Sequence, residues 1–378
     1  MQNQLLMQTK KTIVALAIAM GLTACGSWQQ TARTDASATS HQDYLLVGTY
    51  TDAKSEGIYT FNLDMNKHTV AHVATFKTEN PSYMCLDEKH GLLFAVNENK
   101  DQPSVTAAKI DATTGELRLV NKTPTLGTEP AYITYHKGNV LTANYGGGSI
   151  TLIEVAKNGA VGSPDWRIEL GTQGIAHPHA IVPLPGSDLL YVPDLGQDKI
   201  FTFKYRNGVP PLTIADQTCL LPKGSGPRHL VFDKKGKYAY LVCELTPKVY
   251  VYKVGDNGWL MPLQEVNTGG QGGKGGGHIA LSPDGKFLYT SHRLQGDAII
   301  TYKVGKNGML TKVGTTPTSK HPRQFTFSPN GNYMAVACKE GNKIDFFQRN
   351  TSTGQLTRIP MSITVSHPAF VLWRKASK

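Results

Sequence analysis

One outline recurs along this chain and limits its fold more than any other feature. A Pro- or Gly-led tripeptide opens a short apolar run, a Gly-centred turn follows, and a second apolar run ends in a polar residue. The leading tripeptides are Pro81-Ser82-Tyr83, Pro130-Ala131-Tyr132, Pro178-His179-Ala180, Pro227-Arg228-His229, Gly276-Gly277-His278, Pro322-Arg323-Gln324 and Pro368-Ala369-Phe370, spaced 46 to 49 residues apart. Short apolar runs bounded by turn residues read as strands, so each copy begins as a β-hairpin. Residues 226–245 are the clearest copy, with Arg228 and His229 where the first run starts and Glu244 where the second ends.

A third apolar run follows each hairpin, as in KIFTFKY at 199–205 and KVYVYKV at 248–254. A weaker fourth comes after turns such as Asn257-Gly258, Asn307-Gly308 and Thr353-Gly354. Four strands at this period are the blade of a β-propeller. Seven leading strands therefore predict an all-β, seven-bladed propeller of four-stranded antiparallel blades. The seventh unit has only its leading strand, PAFVLWR at 368–374, before the chain ends. Its other strands match YLLVGTYT at 44–51, GIYTFNLD at 57–64 and the segment after Thr69, so strands from both termini are expected to close the last blade. Closure removes the sheet edges that invite aggregation. The 38 glycines and 21 prolines suit many short strands between tight turns, and no stretch reads as a long amphipathic helix.

The chain opens with Lys10 and Lys11 ahead of an apolar run at 12–22, too short to span a bilayer, which closes on small residues before a cysteine. Residues 1–24 read as a lipoprotein signal peptide, Leu22-Thr23-Ala24-Cys25 as a lipobox with Cys25 lipidated, 25–43 as a flexible Ser/Thr/Gln/Ala tether, and 44–378 as the propeller. This predicts a bacterial cell-envelope protein on the periplasmic side, held to a membrane by an N-terminal lipid. The formal charge is +11, about +9 after loss of Lys10 and Lys11, but its basic residues are scattered through turns, so no nucleic-acid partner is expected. Cys85, Cys219, Cys243 and Cys338 show no CxxC spacing and lie in apolar runs, which reads as buried free thiols and no metal site. The glycine-rich 269–277 lacks Walker spacing and reads as a flexible connection rather than a phosphate loop.

In an antiparallel hairpin the start of the first strand lies beside the end of the second. The leading positions Ser82, Ala131, His179, Arg228, Gly277, Arg323 and Ala369 should then share one face with the second-strand ends. Those ends, with their neighbours, are Asn97 and Glu98, Asn144 and Tyr145, Asp194, Glu244, His292 and Arg293, and Lys339. Arg228, Arg293 and Arg323 from different blades make a candidate anion site, because a guanidinium offers a rigid fork to carboxylate or phosphate. Glu98, Asp194 and His292 are further candidates for holding substrate, although Asp194 also fits a turn cap. His229 and His278 read as structural histidines. A His179 or Glu244 base beside the arginines suits addition of water to an ester, with the arginines facing the developing oxyanion. No Gly-x-Ser-x-Gly elbow supports a serine hydrolase.

The ordered set LLVGTYT, GIYTFNLD, NPSYMCLD with AVNE, TANYGGGSI, HPHAIV with VPDLGQDKI, GPRHLVF with CELTPKVYVY, ALSPDGKFLYTSHR and PRQFTFSPNG resembles the seven-bladed propeller lactonase family across 44–378. That family includes bacterial 6-phosphogluconolactonases and is related to fungal carboxymuconate-lactonizing enzymes. The resemblance implies hydrolysis of an anionic or sugar lactone without a cofactor, with His179, Arg228, Glu244 and Arg293 carrying the chemistry. Three features depart from the family's usual pattern: Ser291-His292-Arg293 replaces Ser-Asn-Arg, Cys243 replaces an asparagine before the glutamate, and the chain carries an export signal. The signal points to an unphosphorylated aldonolactone, because phosphorylated sugar intermediates are cytosolic. A non-catalytic envelope propeller that binds protein or polysaccharide, and a muconate-type cycloisomerase, are the alternatives.

Overall fold

The computed structural model describes residues 43–376, apart from 53, 173, 207, 209–210, 216–217 and 270–273. The signal peptide, Cys25 and nearly all of the tether lie outside the described residues, as does the middle of the glycine-rich segment. The described residues form strands in seven antiparallel sheets. Blade 7 combines β1 (Asp43–Thr49), β2 (Gly57–Asp64) and β3 (Thr69–Lys77) with β29 (Pro368–Lys375). Blade 1 is β4 (Met84–Asp87), β5 (Leu92–Asn97), β6 (Ser104–Ile110) and β7 (Leu117–Pro124); blade 2 is β8 (Pro130–His136), β9 (Asn139–Asn144), β10 (Ser149–Glu154) and β11 (Trp166–Glu169). Blade 3 holds β12 (Val182–Pro183), β13 (Leu189–Asp194), β14 (Lys199–Tyr205), β15 (Leu212–Ile214) and β16 (Cys219–Leu220). Blade 4 is β17 (Pro227–Phe232), β18 (Tyr238–Cys243), β19 (Lys248–Val254) and β20 (Leu260–Asn267). Blade 5 is β21 (Gly276–Leu281), β22 (Phe287–His292), β23 (Ala298–Val304) and β24 (Leu310–Pro317). Blade 6 is β25 (Pro322–Phe327), β26 (Tyr333–Cys338), β27 (Lys343–Arg349) and β28 (Leu356–Thr364).

Blades pack face to face, which explains why second strands are apolar on both faces rather than alternating. β5, β9 and β22 are buried at every position, whereas the outer β28 alternates between buried and exposed. Each neighbouring pair of blades shares one apolar layer. Leu45, Val47, Phe61, Val371 and Trp373 of blade 7 meet Ala335, Ile344 and Phe346 of blade 6, and Tyr44, Leu46 and Phe370 meet Leu93 and Ala95 of blade 1. Polar pins add to these layers. The hydroxyls of Tyr240 and Tyr289 donate to the carbonyls of Gly308 (3.1 Å) and Gly354 (2.7 Å) in the next blade's outer turn. Gly308 has φ +78°, and a Cβ there would sit 2.3 Å from the Tyr238 ring, so this turn needs glycine.

Blade 3 departs from the repeat. Its leading strand pairs at Pro178↔Asp194 and again only at Val182–Pro183; opposite the gap the partner strand carries Pro193, which brings no N–H to the ladder. The four described cysteines are unpaired thiols; Cys243 and Cys338 are buried as expected, whereas Cys85 and Cys219 are half-buried.

The ring closes through β1 and β29, which pair from Asp43↔Lys375 to Thr49↔Pro368. Deleting residues 369–378 removes that ladder together with Phe370, Val371 and Trp373, buried side chains worth about 1.5–3 kcal/mol each. The truncated chain is expected to lose its cooperative thermal transition, or to melt at least roughly 10 °C lower. An unchanged melting curve would contradict closure by the two termini.

Candidate active site

The mouth of the central channel is built by one backbone contact used seven times. The residue after each second strand donates its N–H to the carbonyl of the residue before each leading Pro or Gly. The pairs are Tyr50 to His367, Glu98 to Asn80, Tyr145 to Glu129, Leu195 to His177, Glu244 to Gly226, Arg293 to Gly275 and Lys339 to His321, at 2.8–3.1 Å. Six of the acceptor residues have positive φ, His177 being the exception. The ladder then slips by one residue: Pro227 pairs with Cys243 but His229 with Val242, and Pro322 with Cys338 but Gln324 with Ala337. A bulge of this kind re-aims side chains. It frees Arg228 and Arg323 from the strand alternation and sets them on the channel.

Glu244 is the hub of the first cluster. Its Oε2 accepts from Arg228 Nε at 2.9 Å and lies 2.5 Å from Arg293 Nη2. Arg228 is only 2% exposed, and its Nη1 donates to the Gly277 carbonyl of the next blade. That reach depends on glycine at 277, where a Cβ would sit 2.6 Å from Ser291 Oγ. Burial raises the Glu244 pKa, but Arg293, Arg228 and Arg323 outweigh it and hold the carboxyl below its ordinary value. Burial, followed by the charge of Arg293, lowers the Arg228 pKa, yet a guanidinium starts so high that it stays charged at neutral pH.

Histidines line the channel below. His229 stands edge-on to His179, with ring centres 5.3 Å apart, and its Nδ1 lies 3.0 Å from His278 Nδ1. Arg228 Nη1 donates to His229 Nε2 at 3.2 Å. Burial, reinforced by Arg228, Arg323 and Arg293, drives the His179 pKa well below its ordinary 6.5. Burial, then Arg228 and the neighbouring His179 and His278, lowers His229 well below its ordinary value, and burial with Arg228 takes His278 to about 3. These imidazoles are neutral. His179 is 6% exposed, and its buried Nδ1 has no partner among the described residues. Tyr145 flanks it at 5.3 Å and stacks on His177 at 4.6 Å.

A second cluster occupies blades 6, 7 and 1. The Tyr50 hydroxyl donates to Glu98 Oε2 at 2.8 Å, and Arg323 Nη2 lies 3.7 Å from the same oxygen. The Arg323 guanidinium and the Lys339 ammonium each sit 5.1 Å from the centre of the Tyr50 ring. Lys339 also pairs with Glu340 at 3.2 Å, so Arg228, Arg293, Arg323 and Lys339 face Glu244, Glu98 and Glu340, and cations still outnumber carboxylates in this group.

The structure thus brings together His179, Arg228, Glu244, Arg293, Arg323 and Glu98. Two expected substrate contacts are placed elsewhere. Asp194 is fully buried and spends its carboxylate on a turn: Oδ1 accepts from the backbone N–H of His177, Gly196 and Gln197 at 2.9–3.1 Å. It is a turn cap, not a ligand for substrate. His292 is buried against Thr290, 3.0 Å from its hydroxyl, and burial presses its pKa to about 4. It ends a strand one residue short of the mouth. Sequence reasoning missed Tyr50 as a site residue; His229 and His278, read as structural, are hydrogen-bonded to each other, and His229 also to Arg228. Tyr50 could have been found by register, since it follows the second strand of blade 7 as Glu98 does that of blade 1.

Seven such blades with arginines and buried histidines at one mouth define a seven-bladed β-propeller with a cationic site, and comparison with known proteins makes the family specific. The family model described as Lactonase, 7-bladed beta-propeller matches residues 44–373, and this chain belongs to that family. A 6-phosphogluconolactonase of Bacillus subtilis (strain 168) is 31% identical over 340 residues, covering 86% of this chain and 96% of the relative. The crystal structure of a protein described as a 6-phosphogluconolactonase by assignment from Bacteroides fragilis NCTC 9343 is similar at TM-score 0.85 and 37% identity, covering 90% of this chain and 99% of that one. A periplasmic gluconolactonase of Pseudomonas aeruginosa is similar at TM-score 0.83 and 29% identity, covering 89% and 100%.

The neutral histidines have a consequence for stability. His179, His229, His278, His292 and His321 all have pKa values lowered by burial, so below about pH 6.5 the unfolded chain binds more protons than the folded one. Their contribution is complete above that pH and is lost as pH falls toward the lowered values. The melting temperature is expected to drop by roughly 10 °C or more between pH 7 and pH 5 in calorimetry, and a flat profile over that range would refute the neutral histidine layer.

Proposed function

We propose that this chain hydrolyses a sugar-derived lactone to its hydroxy acid at the channel mouth. The observation that carries this reading is the convergence of Arg228, Arg293 and Arg323 from three blades beside neutral His179, whose Nδ1 has no partner among the described residues. Glu244, clamped between two guanidiniums, is a poor proton acceptor, so its part is to orient Arg228 and Arg293. His179 takes a proton from water as the water oxygen attacks the lactone carbonyl carbon. The carbonyl electron pair moves onto its oxygen, whose charge faces the arginines. Collapse of this intermediate breaks the bond to the ring oxygen, which receives the proton from His179 and leaves as a hydroxyl, while the new carboxylic acid releases its remaining proton to solvent and becomes a carboxylate. The developing negative charge offsets the arginines that depress His179, making the imidazole a better base as the reaction proceeds.

The preferred substrate in this reading is an unphosphorylated aldonolactone. Support comes from the signal-peptide pattern at 1–24 and from the periplasmic gluconolactonase among the relatives. After subtraction of spontaneous hydrolysis, kcat/KM is expected to be higher on gluconolactone than on its 6-phosphate. His179→Ala should lower kcat/KM at least roughly 100-fold while leaving the melting temperature intact. A strong preference for the phosphate overturns the substrate, and an active His179→Ala overturns the base.

The same pattern supports a lipid-anchored location in the cell envelope through Cys25. Cys25→Ala is expected to move the chain from the membrane fraction to the soluble fraction and to abolish labelling by a fatty-acid probe. Retention in the membrane without label would refute lipidation.

A further inference from the structure

Of the second cluster at the mouth only Arg323 enters the hydrolysis just described, yet the whole cluster is as elaborately held as the first. Tyr50, Glu98 and Lys339 each occupy the clamped position after a second strand, and Arg323 occupies the bulge. Tyr50 organises them. Its ring carries Arg323 and Lys339, each 5.1 Å from the centre, and its hydroxyl holds Glu98 Oε2 at 2.8 Å. Cations on an aromatic face are oriented as well as attracted. The bonds found on Glu98 fall on Oε2, leaving Oε1 to accept from a ligand. Arg323 also depresses both Glu244 and His179 electrostatically, so this cluster adjoins the reaction centre.

We propose that Tyr50, Glu98, Arg323 and Lys339 form a subsite for the hydroxyl-bearing tail of the lactone, with Glu98 discriminating a hydroxyl from a phosphate. This rests on the lactone-hydrolase reading. A sugar hydroxyl both donates and accepts, and the subsite offers one carboxylate acceptor beside two cationic donors. A phosphate dianion only accepts, so it matches Arg323 and Lys339 but meets like charge in Glu98. Glu98 is a specificity residue rather than a participant in bond making. Sites built to hydrogen-bond a substrate hydroxyl discriminate strongly through the polar groups left unpaired by the wrong substrate.

The test compares gluconolactone with its 6-phosphate on wild type, Glu98→Gln and Tyr50→Phe, using protein whose folding is checked by thermal melt. Glu98→Gln keeps the shape and an acceptor for Tyr50. It is expected to move the kcat/KM ratio at least roughly 10-fold toward the phosphate. Tyr50→Phe keeps the ring between the cations but releases Glu98, and should raise KM for gluconolactone with kcat within roughly threefold. An unmoved ratio in Glu98→Gln, or a loss of kcat at unchanged KM in either variant, overturns the proposal. Titration calorimetry with gluconate and 6-phosphogluconate reads the same discrimination without turnover. A wild type inactive on both lactones refutes the hydrolase reading, whereas active wild type with an unmoved ratio refutes this subsite alone.

Discussion

Everything at the mouth hangs on the backbone bond between the residue after a second strand and the carbonyl before a leading Pro or Gly. It fixes the end of one strand against the start of its neighbour, and the bulge that follows frees the next side chain from the alternation of the sheet. Seven repeats present fourteen positions to one small opening without any loop having to be ordered for the purpose. Left-handed φ at Asn80, Glu129, His321 and His367 is uncommon for residues other than glycine. The closed ring of apolar layers holds those conformations, so the packing between blades supports the geometry of the mouth.

The symmetric scaffold carries asymmetric chemistry. Blades 4, 5 and 6 supply Arg228, Arg293, Arg323 and Lys339, while blades 1 and 2 bring Ser82 and Ala131 to the equivalent leading positions. Such a concentration of cations is tolerable because Glu244 serves two guanidiniums, Glu98 meets Arg323 and Glu340 meets Lys339, and because neutral His229, His278 and His321 accept hydrogen bonds or lie nearby without adding charge. Even with Glu340 beside Lys339, three carboxylates do not fully balance four cations. The remaining positive charge is what an oxyanion would find, already oriented and partly desolvated.

Much of this was legible in the sequence because a fixed period turns position into geometry. The recurrence of Pro-x-x placed Arg228, Arg323 and His179 on one ring, and the polar end of each second strand placed Glu244, Arg293 and Glu98 opposite them. The misplacement of Asp194 and His292 has a single cause. Sequence alone does not say which residue at the end of a second strand carries the clamping N–H: in blade 3 it is Leu195 after Asp194, and in blade 5 Arg293 after His292. The residue within the strand, as with Asn97, Asn144, Asp194 and His292, turns to partners inside the blade or its turn. Tyr50 escaped notice because blade 7 is split between the termini, and a tyrosine does not advertise chemistry as an arginine does. The bulge that brings His229 and His278 into the channel leaves no mark in residue type.

The roles of the two acidic residues follow from how tightly each is held. Glu244 takes Arg228 and Arg293 at 2.9 and 2.5 Å, so its charge is consumed in fixing them. Glu98 meets Arg323 only at 3.7 Å and is positioned instead by the neutral hydroxyl of Tyr50. A carboxylate held by a neutral donor keeps its charge available to whatever enters the mouth. One acid therefore builds the electrostatics of the reaction centre, and the other remains free to act on the substrate's far end. The difference arises from the residue type at a single repeated position: tyrosine in blade 7 gives Glu98 its neutral partner, while arginine in blade 5 gives Glu244 a second cation.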